Sequence, residues 1–181
     1  MERGVQLPLP ALTVNTMKSN HLLHEIAITA IIIKNNKFLL TKRSKKEKRF
    51  PGKWTVPGGK LETNDYIKFP KDTEYYWYNV LERVLEREVK EEVGININNV
   101  KYLTSLATIH SDGNPSLVIS CIANYVSGKV KLKKQETEDF CWATRKEAAK
   151  LDLIDGIYDE LVMIEKQAKG IKTEWKKIKK K

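Results

Sequence analysis

The stretch Arg87-Glu88-Val89-Lys90-Glu91-Glu92-Val93-Gly94-Ile95 puts acidic residues where a helix of a water-soluble domain should be apolar. At about 100° per residue, the segment from Trp77 to Val93 gathers Trp77, Val80, Leu81, Val84, Leu85, Val89 and Val93 on one broad arc. Glu88 and Glu92 fall near the middle of that arc and Glu91 inside one edge, while Arg83, Arg87 and Lys90 point away. Carboxylates on a core-facing stripe are costly unless a cation meets them. Three of them at i, i+3 and i+4 can converge on one point, and a hard divalent cation takes oxygen ligands. The chain therefore needs an amphipathic helix packed on a core, with a charge-neutralising centre at its C-terminal half.

A chain of 181 residues suits one domain with a sizeable core. The longest apolar run, Ile26 to Ile33, is strand length and too short to cross a bilayer. The N-terminus, Met1-Glu2-Arg3-Gly4, lacks the charged and apolar regions of a secretory leader, so a cytoplasmic location is expected. Cys121 and Cys141 lie in hydrophobic segments without metal-type spacing and read as small core residues, not a disulfide. The formal net charge of +10 is largely lysine, much of it between Lys169 and Lys181. Such a balance suits polyanionic ligands, although a solvated lysine surface is the simpler account. Nucleic-acid binding through this tail is a secondary expectation.

Residues 1–23 read as an N-terminal extension, 24–168 as the domain and 169–181 as a basic tail. Glu25 to Lys34 is strand-like, and Asn35-Asn36 predicts a tight turn into Lys37–Thr41. A basic loop, Arg43 to Lys53, precedes a short strand at Trp54-Thr55-Val56 and a backbone break at Pro57-Gly58-Gly59. The helix is expected to start near Asp72 or Thr73 and to stop at Gly94. Further strands are predicted near Tyr102–Ile109, Leu117–Tyr125 and Phe140–Trp142, then a short helix near Lys146–Leu151 and a longer one from Asp155. Ile154, Ile157, Leu161, Ile164, Ala168, Ile171, Trp175 and Ile178 alternate spacings of three and four. That pattern admits a dimerising helix, with packing on the domain's own sheet preferred. Strands flanking helices imply an α/β (α+β) sandwich with a central mixed sheet.

Together, Gly58-Gly59-Lys60-Leu61-Glu62 upstream and Arg87 to Ile95 downstream resemble the Nudix box, G-x5-E-x7-R-E-U-x-E-E-x-G-U with U apolar. The second half matches at every fixed position. Two departures stand out. Asp65 occupies the place of the first glutamate, and the spacer Tyr66–Glu86 is fourteen residues longer than the pattern, an insertion placed at about 66–79. The insertion is expected to extend the helix backward, with Tyr75-Tyr76-Trp77-Tyr78 near its start packing on the core; forming one wall of a substrate cleft is the other reading.

The resemblance implies a Nudix-type α/β/α sandwich and a Mg²⁺- or Mn²⁺-dependent pyrophosphohydrolase acting on a nucleoside diphosphate derivative. Within that class, nucleoside triphosphates, oxidised purines included, come before ADP-ribose or nucleotide sugars. It further implies metal contacts from Glu88, Glu91, Glu92 and the Gly59 carbonyl, with Glu91 and Glu92 catalytic and Arg87 orienting a glutamate. Arg43, Glu62, Glu136 and Glu138 are candidate substrate-binding positions. Two competing readings are weaker. Isopentenyl diphosphate isomerases share this fold, but Cys121 and Cys141 stand outside the context their chemistry needs. A non-catalytic nucleotide- or nucleic-acid-binding module would have less reason to retain all three glutamates.

Overall fold

The computed structural model describes residues 23–177, so residues 1–22 of the N-terminal extension and the last four residues of the tail lie outside the described residues. Strand β1 (Glu25–Lys34) turns at Asn35-Asn36, both at positive φ (48° and 58°), into β2 (Lys37–Arg43). Two left-handed residues in succession give the turn whose twist matches a two-residue hairpin, and asparagine tolerates that region better than most side chains. Short strands β3 (Trp54–Thr55) and β4 (Gly58–Lys60) follow, then a single 3₁₀ turn at Thr63–Asp65. Helix α1 (Val80–Val93) leads into the long strands β5 (Asn96–Ile109) and β6 (Pro115–Ser127). Strand β7 (Thr137–Ala143), the short helix α2 (Arg145–Ala148) and helix α3 (Ile157–Gln167) complete the described chain.

The strands form one mixed sheet in the order β3-β2-β1-β6-β5, with β4 paired to β1 and β7 to β2. β1 and β6 run parallel, and the other pairs are antiparallel. Because β1 and β2 are covered on both faces, they read as nearly continuous apolar runs. Ile28, Ala30, Ile32 and Leu39 face α1, with Val84, Leu85, Val89 and Val93 packed against them. Ile31, Phe38 and Leu40 face the other way, toward Ile157, Leu161 and Ile164 of α3. Each of these large aliphatic side chains contributes roughly 1.5–3 kcal/mol by leaving water. The arrangement is the mixed α/β architecture expected. Cys121 is buried and Cys141 half-buried, and neither forms a disulfide. No helix among the described residues is long and apolar enough to cross a membrane.

Three expectations are corrected. Helix α1 begins at Val80, not near Asp72 or Thr73, because Asn79 takes a left-handed conformation (φ 52°) that helical backbone cannot continue through. Asp72 and Thr73 instead cap a turn: the Thr73 hydroxyl accepts from the Tyr76 amide, and the Asp72 carboxylate accepts from the Tyr78 amide. The fourteen residues Tyr66–Asn79 thus form an ordered loop, held by the Trp77 indole N–H on the Phe69 carbonyl and by Tyr66 against Trp77. Tyr75, Tyr76 and Tyr78 are exposed on it and do not join the core. Finally, α3 ends at Gln167, so the three-four pattern is helical only in its first half. Ile157, Leu161 and Ile164 are consumed by the domain's own core, while Ile171 and Trp175 lie beyond the helix and are exposed.

Candidate functional site

The site is built where α1 crosses β4. Gly58 and Gly59 pair with Thr29 and Ile28 of β1, which lays the glycine backbone directly beneath the acidic turn of the helix. A Cβ on Gly59 would stand 2.0 Å from the Glu88 carboxyl carbon, so only glycine lets that carboxylate sit against the strand. A Cβ on Gly58 would stand 2.3 Å from the Ile28 carbonyl oxygen. The two glycines thus serve different ends: one admits a side chain, the other a neighbouring strand.

Glu92 is the most firmly placed carboxylate. Its Oε2 accepts from the Gly58 amide at 3.1 Å, and its Oε1 accepts from the Thr137 hydroxyl at 3.1 Å and the Thr41 hydroxyl at 3.3 Å. Burial pushes its pKa up to about 6, against the pull of these three donors. Among the described residues no lysine or arginine pairs with it. Glu88 is also raised, chiefly by burial, with the Arg87 charge opposing. Glu91 is exposed at the helix surface.

Arg87 joins these groups to the other half of the motif. Its Nε and Nη2 donate to the two carboxylate oxygens of Asp65, at 2.5 and 3.0 Å, and Nη1 reaches Glu88 at 3.0 Å and Glu91 at 3.3 Å. Burial of Asp65 acts to raise its pKa, but the Arg87 hydrogen bonds and the Glu62 amide outweigh it and hold the carboxyl below the usual range. Asp65 in turn makes Arg87 hold its proton more firmly. The aspartate, one methylene shorter than the patterned glutamate, reaches because it sits in the 3₁₀ turn that brings it against α1.

The remaining candidates spread around this centre. Glu62 is exposed at the head of the 3₁₀ turn. Glu136 pairs with Lys133 at 2.6 Å, and its charge reaches Glu92. Glu138 accepts from the Lys45 amide, tying β7 to the basic loop. Arg43 turns into that same loop, donating to Glu47 and to the Arg49 carbonyl. The carboxylates do not converge as the spacing alone anticipated: Glu88 and Glu91 lean on Arg87, and Glu92 leans on its hydroxyl donors. No three acidic, histidine or cysteine side chains among the described residues stand at metal-holding geometry. The donor set nevertheless suits a hard cation. It is all oxygen, and it includes a carboxylate enclosed with neutral partners alone.

Thr41, Thr137 and the Gly58 amide are site groups that motif reasoning passed over. Thr41 left a trace, a polar residue ending the apolar run Phe38-Leu39-Leu40. Thr137, brought in from β7, left none.

Residues 23–162 match the family described as NUDIX domain. The chain belongs to the Nudix family. Among curated proteins, this Nudix chain is 32% identical over 103 residues to the NAD-capped RNA hydrolase NUDT12 of Homo sapiens, covering 56% of the chain and 19% of that protein. It is 28% identical over 138 residues to the nucleoside triphosphatase NudI of Enterobacter sp. (strain 638), covering 70% of the chain and 86% of that protein. The chain therefore spans about a fifth of the length of the NUDT12 proteins it matches. Among solved structures, the MutT NUDIX hydrolase from Burkholderia pseudomallei superposes with a TM-score of 0.63 at 22% identity, over 78% of this chain and 98% of that one. That likeness carries the fold.

Proposed function

We propose that this Nudix chain is a Mg²⁺- or Mn²⁺-dependent pyrophosphohydrolase that cleaves a diphosphate linkage in a nucleoside di- or triphosphate derivative. The observation that carries the reading is the pair Glu88 and Glu92, one helical turn apart and flanking the Gly58-Gly59 backbone, with Arg87 fastened beside them by Asp65. Carboxylates alone would repel a pyrophosphate. A divalent ion held by Glu88 and Glu92, with the Gly59 carbonyl, would invert that local charge and make bound water more acidic.

The chain's own residues do the rest. Gly58, Thr41 and Thr137 occupy three of the four lone-pair directions of the Glu92 carboxylate, so the one that remains, on Oε2, has a set direction. Arg87 keeps Glu88 and Glu91 oriented while Asp65 prevents the guanidinium from turning toward substrate phosphate. Glu91, exposed beside Arg87, would serve either as a further ligand or, left off the ion, as the base that accepts a proton from attacking water. Nucleoside triphosphates, oxidised purines included, stand first among substrates to try. The NudI alignment, which runs over most of that protein's length, supports that order. ADP-ribose and nucleotide sugars come second. Retention of Glu88, Glu91 and Glu92 argues against a purely binding module.

The test is phosphate release from a panel of nucleoside triphosphates, ADP-ribose, nucleotide sugars and dinucleoside polyphosphates with Mg²⁺ or Mn²⁺. Glu92→Gln should lower turnover by roughly 10²-fold or more, the scale on which losing one transition-state charge contact acts. No release from any substrate, with wild type and Glu92→Gln alike, would remove the proposal.

A further inference from the structure

Helix α3 ends in a left-handed cap. The Gly170 amide donates to the Gln167 carbonyl at 2.9 Å and the Ile171 amide to the Lys166 carbonyl at 3.1 Å, with Gly170 at φ 74°. The cap turns the chain off the helix axis, and the Lys177 ammonium then meets the Asp155 carboxylate at 2.8 Å. Asp155 precedes α3, so the chain beyond Gln167 retraces the length of that helix, and it does so without regular secondary structure.

The seat of this segment on the domain is poor. Ile171 and Trp175 remain 51% and 46% exposed. The Thr173 hydroxyl is buried with no hydrogen-bond partner among the described residues, which carries a desolvation cost. The Lys177–Asp155 pair joins two well-exposed side chains, and pairs of that kind contribute little.

The same segment has an order in its sequence that this seat leaves unused. At about 100° per residue, Ile171, Trp175 and Ile178 fall within about 60° of one another. Lys172, Lys176, Lys177, Lys179, Lys180 and Lys181 fill the rest of the turn, against one acid, Glu174. Isoleucine and tryptophan backed by lysine suit the boundary between anionic headgroups and acyl chains. Tryptophan prefers that depth, and lysine stems carry their charge outward to the headgroups. A nucleic acid would take the lysines and leave the apolar stripe in water. A second copy would take the stripe and set two chains of net charge +10 against each other.

We propose that the segment from Ile171 to Lys181 docks the protein on an anionic lipid surface, with Ile171 and Trp175 in the interface and the lysines on the headgroups. Even fully helical, these 11 residues reach about 16 Å, roughly half the hydrocarbon thickness, so the segment lies on the bilayer and does not cross it. Docking exchanges the Lys177–Asp155 pair for headgroup contacts. The domain stays folded, because Ile157, Leu161 and Ile164 of α3 keep their places in the core. The proposal is independent of the hydrolase reading.

The test uses the full chain and vesicles of phosphatidylcholine, alone or with about one quarter phosphatidylserine, read by co-sedimentation and by tryptophan emission. Wild type should bind the anionic vesicles alone, with emission shifted to the blue, and should be released as salt rises. A lysine near such a surface contributes about fivefold in partition, so Lys172→Glu/Lys176→Glu should weaken binding by about tenfold or more. Ile171→Ser/Trp175→Ser keeps every charge; it should weaken binding by about fivefold or more and abolish the blue shift. Lys129→Glu/Lys131→Glu makes the same charge change on exposed residues elsewhere and should cost less than about threefold. Equal losses in the two charge reversals would reduce the effect to net charge and overturn the proposal. So would full binding by Ile171→Ser/Trp175→Ser, or equal binding to neutral vesicles. A fluorescein-labelled DNA duplex is the competing arm. Duplex binding that needs Lys172 and Lys176, with no vesicle binding, would assign the lysines to nucleic acid and overturn the lipid contact.

Discussion

At Gly59 and Gly58 the same substitution should have opposite consequences. Gly59→Ala meets the far end of a flexible glutamate, so the fold can yield by displacing Glu88. We expect a melting temperature within a few degrees of wild type and at least a tenfold loss of phosphate release. Gly58→Ala meets the Ile28 carbonyl and the Thr29 Cα, which are sheet backbone and cannot yield locally. Its loss should appear first in thermal denaturation followed by circular dichroism. Asp65→Asn tests the Arg87 contact. It should cost roughly 2 kcal/mol of stability in urea titration, the scale of a hydrogen bond to a charged group, and lower kcat more than KM. Asp65→Glu, which keeps the charge and changes the reach, should retain part of the activity if charge rather than reach is what the site needs. The sequence showed Glu88, Glu91, Glu92 and Arg87 because helical spacing and the box pattern are local properties. Asp65 was visible only as a departure from that pattern, since its partner lies 22 positions away. Thr137 could not be found at all, because its place beside Glu92 depends on the register of β7 against β2.

At the scale of elements, the strands of β1, β2, β6 and β7 were legible through turn residues and β-branched runs, and Gly94 ended α1 as a left-handed cap. The start of α1 was not legible. Apolar spacing continues back to Trp77, and only the φ of Asn79 breaks it. The fourteen residues Tyr66–Asn79 therefore lengthen a loop and not a helix. Their excision, joining Asp65 to Val80, restores the spacer length of the family pattern, with the first turn of α1 free to unwind and close the gap. We expect a folded protein with its Asp65–Arg87 contact kept. Circular dichroism should show wild-type helix content to within one turn, and ADP-ribose or nucleoside triphosphate hydrolysis should persist. Collapse of both would show that the loop is part of the fold. The later spacing pattern misled for a related reason: Ile171 and Trp175 continue a helical period that Gly170, at φ 74°, interrupts.

For the molecule as a whole, the least expected group is Glu160, 5% exposed on α3, where it accepts from the Ser120 hydroxyl at 2.7 Å. Burial, with the Asp159 charge adding to it, lifts its pKa to about 7. A carboxyl raised in the folded state binds more protons there than in the unfolded chain. The contribution of Glu160 to stability therefore falls as pH rises from about 4.5 through about 7, and levels off above. The span corresponds to an upper bound on the order of 3 kcal/mol. Urea titrations at successive pH values should show this slope in wild type and a flatter one in Glu160→Gln. An unchanged slope in the variant would assign the effect elsewhere.

The bond between Arg87 and Asp65 has one more consequence. It fastens the two halves of the site through space, so the covalent path between them carries no aiming information. The segment Tyr66–Asn79 is consequently a port: a peptide tag or a small folded reporter spliced into its exposed tyrosine tip should ride on the protein without re-aiming a single carboxylate.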